Sequence, residues 1–329
     1  MASMSFYLYV IAGILLTGAF AAHVAHATLL AAGRRLAAAL APARGALVRG
    51  LSAPAFGGAV SGSFVVEMQG AGGALRGTGG APRSAAAPFA IGLAWAAFVT
   101  LGLSLALRGI VVGRGPWGNL YEFATAFSFG VVGGYLALER RFPIRALGAL
   151  PLGVALGLFL YSSTLPKEIE ALVPALQNPP LLTIHVGLAM ISYGIFAMSF
   201  AAGVGYLVQE KKLPDGRTTE RFAWLPTREV LDAVAWRAVI IGFPCFATMI
   251  VLGSGWASVA WSRYWGWDPK ETSALVTWLA YAVYLHLRNQ KGWRGQPAAI
   301  VLVVGFGMVL FTLFGNLWFA GLHSYSGLS

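Results

Sequence analysis

Eight stretches of apolar sequence, at residues 6–32, 88–108, 120–138, 146–163, 183–208, 237–253, 274–287 and 297–316, dominate what this chain can fold into. A helix needs roughly 20 mostly apolar residues to cross the hydrocarbon core of a bilayer, and these stretches reach or approach that length. The third, fourth, sixth and seventh fall short, so some helices extend into the flanking loops. The expected fold is all-α: a polytopic membrane helix bundle of about eight transmembrane helices. Only 11% of residues are charged and 57% are hydrophobic, whereas globular chains carry about a quarter charged residues. That excludes an ordinary soluble domain. The first stretch begins close to Met1 with no basic segment before it, and reads as a retained span rather than a cleaved signal peptide.

The few charges are unevenly distributed. There are 23 Lys and Arg against 12 Asp and Glu, a net charge of +11. Eighteen of the 23 basic residues fall in alternate loops at 33–87, 139–145, 209–237 and 288–295, and five in the other set, at 108–119, 164–182 and 254–273. Such a pattern orients a bundle in a bilayer and is not a nucleic-acid surface. The positive-inside rule places the first set in the cytoplasm and both termini outside. The chain divides into residues 1–87, a first span plus a basic, Gly/Ala-rich cytoplasmic segment, and residues 88–329, the remaining spans. The segment at 51–87 lacks a repeating apolar face and reads as a flexible segment rather than a domain, with no function assigned to it. Residues 227–237 place Val230, Leu231 and Val234 on one face, which suits a short helix lying on the inner surface. Cys245 is the single cysteine, which excludes an internal disulfide, a CxxC redox pair and a CxxCH haem-attachment site within this chain.

The candidate chemistry lies in the outer loop between the sixth and seventh spans. Trp256, Trp261, Trp265 and Trp267 fall within twelve residues together with Tyr264, after Gly253 and Gly255. One or two such residues would be an interfacial aromatic belt. Four make a flat apolar platform suited to a large planar ligand or a partner protein. Asp268-Pro-Lys-Glu271 is a helix start signal, with Asp at the N-cap and Pro at the first helical position. Lys270 and Arg263 either meet ligand carboxylates or remain in solvent or lipid headgroups. His185, at the outer end of the fifth span, and His323, after the eighth, can both approach the Trp-rich loop. Two histidines beside an aromatic platform suit the axial ligands of a metal in a planar ring; haem iron needs only one or two imidazoles, whereas tetrahedral zinc wants three or four ligands. His286 is expected about twelve residues down the seventh span, in the inner half of the bilayer, where ionisable groups default to a functional reading. His23 and His26 share a face of the first span, where helix-to-helix hydrogen bonding ranks above ligation.

The run Trp256-x4-Trp261-x3-Trp265-x-Trp267-Asp268-Pro-Lys-Glu271, followed by Trp278-Leu-Ala-Tyr281-x2-Tyr284-Leu-His286, resembles the tryptophan-rich WWD signature of the haem-handling cytochrome c assembly proteins. Within them the chain is similar to the CcsA/ResC branch of the system II pathway. Further matches are Asn119-Leu-Tyr-Glu122, Leu172-Val-Pro-Ala-Leu-Gln177, Leu182-Thr-Ile-His185-Val, Leu231-Asp232 and Gly321-x-His323, so the resemblance covers residues 89–323 with the WWD motif at 253–271. Two departures stand out: Ser262 occupies a position that is usually Gly in the family, and the first 87 residues do not follow its pattern.

The resemblance implies that haem b is the substrate and ligand, brought to the outer face and attached through its vinyl groups to the CxxCH thiols of apocytochrome c. His185 and His323 would be axial ligands of the outer haem, beside Trp256, Trp261, Trp265, Trp267 and Asp268. His286 would ligate a second, intramembrane haem whose other ligand comes from a ResB/CcsB-type membrane subunit. A thiol reductant pathway is also implied. The chain would be the haem-positioning part of a cytochrome c synthase (haem lyase), with no side chain acting as acid, base or nucleophile, in the plasma membrane of a bacterium or a thylakoid-type membrane. Two other classes fit less fully: a haem exporter or carrier of CcmC type, and a cytochrome b-type quinol oxidoreductase subunit, which would want four histidines inside the bundle.

Overall fold

A computed structural model describes residues 1–51, 86–169, 179–214, 218–290, 293–315, 318–319 and 321–323. The Leu172–Gln177 motif and most of the Gly/Ala-rich segment lie outside the described residues. Eight α-helices are described: α1 (Ala2–Leu51), α2 (Ala86–Val112), α3 (Leu120–Glu139), α4 (Ala149–Ser163), α5 (Pro179–Gln209), α6 (Arg228–Trp261), α7 (Pro269–Arg288) and α8 (Gln296–Phe314). A one-turn 3-10 helix, Arg145–Leu147, precedes α4, and a two-stranded antiparallel ribbon pairs β1 (Glu210–Lys212) with β2 (Thr218–Glu220) between α5 and α6. The chain is thus an all-α polytopic membrane helix bundle. Among the described residues, six segments are long and apolar enough on their own to cross a membrane: Ala2–Pro42, Ala86–Val112, Arg145–Ser163, Pro180–Gln209, Arg228–Trp261 and Gln296–Phe314. The two helices that do not qualify carry charge at their ends, Glu122 and Glu139 on α3 and Lys270, Glu271 and Arg288 on α7.

Three boundaries differ from the sequence reading. Helix α1 continues past residue 32 to Leu51, through an Ala-rich stretch of high helix propensity that the apolar pattern assigns to a loop. Residues 227–237 do not form a separate surface helix. Thr227 caps α6, and Leu231 and Val234 are fully buried in the first turns of that helix, because nothing between Arg228 and Phe243 breaks it. At its other end α6 runs on to Trp261, so Trp256 and Trp261 belong to a helix and not to a loop.

The centre of the bundle is α5, which packs against α6, α3 and α8, while α1 pairs with α2. Helices α3 and α5 meet through glycine. A Cβ at Gly130 would stand 2.6 Å from the carbonyl oxygen of Met190, and one at Gly134 would stand 2.9 Å from that of Gly194. Such close backbone approach is how membrane helices gain dispersion contact where apolar burial gives them little. It fixes the start of α3 beside the first turns of α5. Tyr281 stacks on Phe196 with ring centroids 3.7 Å apart, which seats α7 on α5. At the far end Arg288 forms a two-pronged pair with Asp232, its Nη2 donating to Oδ2 at 2.6 Å, which ties the end of α7 to the start of α6. Tyr281 and Tyr284 of the sequence motif are therefore core residues.

Helix α6 ends on Ser262 in the left-handed region, with φ +56°. Glycine is the usual residue at such a C-cap because a Cβ costs about 1 kcal/mol there. Replacing Ser262 by Gly is expected to raise the thermal unfolding midpoint of the protein in detergent; an unchanged or lower midpoint contradicts the left-handed cap.

Candidate functional site

The end of α6 and the starts of α3, α5 and α7 surround one large cavity, with about 1120 Å³ of atom-free space, part of it open to solvent. Its walls are mostly apolar and include Trp117 and Phe123 near the start of α3, Tyr193 on α5, Met249, Ile250 and Trp256 on α6, and Leu313 on α8. Besides Tyr193, the titratable residues of its lining are His185, His323, Lys270 and Glu271. Apolar walls with a few convergent polar groups mark a small-molecule site.

His185 points across from α5 to α6. Its Nδ1 lies 2.8 Å from the carbonyl oxygen of Met249. A carbonyl only accepts, so Nδ1 carries the hydrogen and Nε2 keeps the lone pair. The ring lies against the α6 backbone at Gly253, where a Cβ would come within 2.6 Å of Cε1 and 3.0 Å of Nδ1. Gly253 is thus a glycine because the imidazole occupies the space of a side chain.

His323 comes from the other end of the sequence and is held by a carboxylate. Its Nδ1 donates to Oδ2 of Asp268 at 2.7 Å, while Oδ1 accepts from the Leu322 amide at 2.5 Å. Asp268 also caps α7: Oδ2 accepts from the Lys270 amide at 3.0 Å, and Glu271 reaches back to the amides of Asp268 (3.2 Å) and Gly266 (2.8 Å). Burial alone would raise the Asp268 carboxyl. The hydrogen bond and charge of His323, with the two backbone amides, outweigh it and hold the group at about 2. Burial lowers the pKa of His323, and the hydrogen bond and charge of Asp268 oppose that shift. Gly321 makes this closure possible, since a Cβ there would stand 2.8 Å from Cδ of Pro269. The capping role of Asp268 agrees with the sequence reading. Its bond to His323, 55 residues away, has no local sequence signal.

The tryptophans do not form a flat platform. Trp256 and Trp261 meet nearly edge-on, 4.7 Å apart at 74°, and make a corner. Trp256 lies roughly parallel to His185, 6.5 Å away at 17°, and His323 sits 5.9 Å from Trp256 and 4.9 Å from Trp261. Trp265 completes the wall. Trp267 does not line the cavity: it is 69% exposed, perpendicular to Trp265 on a left-handed backbone with φ +56°. Arg263 is also exposed and outside the lining, which separates it from Lys270.

A buried ionic cluster braces the opposite wall. Glu122 accepts from Nε of Arg108 at 2.8 Å, from Nη1 of Arg114 at 2.9 Å and from the Gly118 amide at 2.8 Å, and Asn119 caps α3 through the Glu122 amide at 2.9 Å. It clamps the α2–α3 turn, so that Trp117, Gly118 and Asn119 line the cavity. The sequence matches Asn119-Leu-Tyr-Glu122 to a family pattern without a role. The available signal is an acid at an apolar boundary near two of the few basic residues on that side.

The other histidines lie apart from the cavity. Because α7 starts at Pro269 rather than near 274, His286 is on its last turn, about 25 Å along the axis from that start. It is exposed and paired with Gln290 at 2.8 Å. His23 is buried with both nitrogens engaged, Nδ1 with the Ala19 carbonyl and Nε2 with the Tyr135 hydroxyl, each at 2.8 Å. That is the helix-to-helix bonding expected for it. His26 is buried nearby in α1.

Two glycines two residues apart should respond oppositely to the same change. Gly253→Ala pushes a methyl into His185 and is expected to lower the thermal unfolding midpoint, at a cost of about 1–3 kcal/mol. A methyl at Gly255 would meet nothing within 4 Å, so Gly255→Ala is expected to be neutral or stabilising, since Ala is about 1 kcal/mol better than Gly in a helix. Equal effects at both positions contradict the packing of His185 against Gly253.

Residues 117–323 match the family model described as Cytochrome C assembly protein. That span begins and ends on Trp117 and His323, the first and last residues lining the cavity. The chain is 34% identical over 284 residues to the "Cytochrome c biogenesis protein CcsA" of Synechococcus elongatus, covering 72% of this chain and 87% of the relative. It is likewise 34% identical to the proteins of that name from Guillardia theta, over 256 residues (71% and 84% covered), and Porphyra purpurea, over 271 residues (70% and 85%). With its cavity wholly inside the matched region, the chain belongs to the cytochrome c assembly protein family, as a CcsA-type cytochrome c biogenesis protein.

Proposed function

We propose that this protein binds haem b in the Trp-lined cavity and positions it at the outer face of the membrane for thioether attachment to the CxxCH motif of apocytochrome c. The observation that carries the reading is the pair His185 and His323. Two imidazoles from separate elements line one apolar cavity, and in each the Nδ1–H is committed to an acceptor, the Met249 carbonyl in one case and the Asp268 carboxylate in the other. Iron-ligating histidines characteristically donate their second N–H in this way, which fixes the tautomer and aims Nε2. The corner of Trp256 and Trp261 gives a planar apolar ligand an edge to pack against and excludes water around the ring.

No acid, base or nucleophile is needed from the chain. Each thiol adds its S–H across a haem vinyl group, so atoms balance without a leaving group or an oxidant. The contribution of His185, His323 and the tryptophan wall is orientation, which by itself lowers a barrier substantially when the reacting groups are held in contact. An imidazole from the substrate's own CxxCH would displace one axial ligand to release the product.

The distribution of Lys and Arg supports placing the cavity end outside, with the β1–β2 ribbon, the end of α7 and His286 towards the cytoplasm, in a plasma or thylakoid-type membrane. The exposed position of His286 suits a second haem site shared with a ResB/CcsB-type subunit, since a ligand on the bundle surface needs a partner to close over it. A cytochrome b-type reading is disfavoured by His23, whose nitrogens are both engaged in the core.

Reconstituted with a ResB/CcsB-type subunit, haem b and a reduced CxxCH peptide, the protein is expected to yield peptide carrying thioether-bound haem, detected by mass. Bound haem with no thioether product would support the carrier reading of CcmC type instead and overturn the attachment role.

A further inference from the structure

The cavity lining includes one cation, Lys270, which is drawn by the charge of Asp268 and sits over Phe123 but makes no ion pair within 4 Å among the described residues. Lys270 is the second residue of α7, where the aligned peptide dipoles already place partial positive charge and a basic side chain is disfavoured. Lys270 lines the cavity, and its Nζ lies 5.3 Å over the ring of Phe123. The two nearest acids are committed elsewhere. Asp268 accepts from Leu322, His323 and the Lys270 amide, and Glu271 accepts from the amides of Gly266 and Asp268. Among the described residues Lys270 has no ion pair with either. A second donor lacks an acceptor on the same wall: Nε1 of Trp117, six residues before Phe123, is buried without a hydrogen-bond partner among the described residues.

A charged ammonium in an apolar, part-buried cavity at the positive end of a helix is costly unless an anion joins it. An anionic oxygen from the ligand answers the charge and the dipole together and supplies an acceptor to that wall. We infer that Lys270 is the counter-ion for a ligand carboxylate, which makes the ligand of this cavity a planar apolar molecule with an acidic edge. The inference rests on the proposed haem reading and adds to it the direction in which the ring lies: the propionate edge faces Lys270 and the start of α3. The opposite, vinyl edge is then left for the open side of the cavity. Arg263, the other basic residue of the 254–273 segment, does not line the cavity and takes no part.

The test compares haem b with its dimethyl ester, in which both propionates are neutral, by titrating each into purified full-length protein. Wild type is expected to bind haem about 10- to 100-fold more tightly than the diester, the range for a hydrogen bond to a charged group. Lys270→Met should lose that factor for haem while binding the diester as wild type does, and Lys270→Arg should restore most of it. Equal affinity of wild type for the two ligands, or discrimination retained in Lys270→Met, overturns the role of Lys270 and leaves haem binding intact. Failure of wild type to bind either ligand overturns the haem reading and the inference with it.

Discussion

The carboxylate of Asp268 accepts from three parts of the chain: the Lys270 amide at the start of α7, the Leu322 amide, and Nδ1 of His323. A helix cap of this kind is worth about 1 kcal/mol, and a hydrogen bond to an ionised acceptor about 1.5–3 kcal/mol. The start of α7 and the segment bearing His323 are therefore held by one group. Because its folded-state pKa is depressed to about 2, this contribution is complete above the ordinary carboxylate range and is lost only as the pH falls towards 2. Below it α7 descends to the Arg288–Asp232 pair, which ties its far end to α6. The site end and the opposite end are connected by one helix pinned at both termini.

The two histidines reach the cavity by different means. His185 is built into a packed helix and aimed by a neutral backbone carbonyl, in space that Gly253 leaves open. His323 lies beyond the last helix and is aimed by a charge. The His185 ring is thus fixed within helix packing, and the His323 ring by the Asp268 carboxylate together with its contacts to Trp256 and Trp261.

Much of this was legible in the sequence because it rested on local patterns. The apolar runs gave the helices, the basic loops put His185, the tryptophans and His323 at one end, and Asp-Pro-Lys-Glu marked the start of α7. Helix ends were less legible where no Gly or Pro stops the chain: α6 absorbs residues expected as a surface helix and as half of a loop. That shift turns the expected flat tryptophan platform into a corner, since two of its members are fixed at helical spacing. The earlier start of α7 likewise moves His286 to the last turn of its helix. Contacts between distant residues left no trace: Asp268 with His323 and Gly253 under His185 depend on which turns the bundle brings together.

On the proposed function, His185 and His323 hold one planar ligand from two sides. The most direct measurement of this is the absorption and electron paramagnetic resonance spectrum of the purified protein loaded with haem, in wild type and in His185→Ala and His323→Ala. A six-coordinate, low-spin, bis-imidazole iron is expected in wild type, converted by either replacement to a high-spin or more weakly bound form that added imidazole reverses. A wild-type spectrum that persists when both histidines are replaced would contradict it.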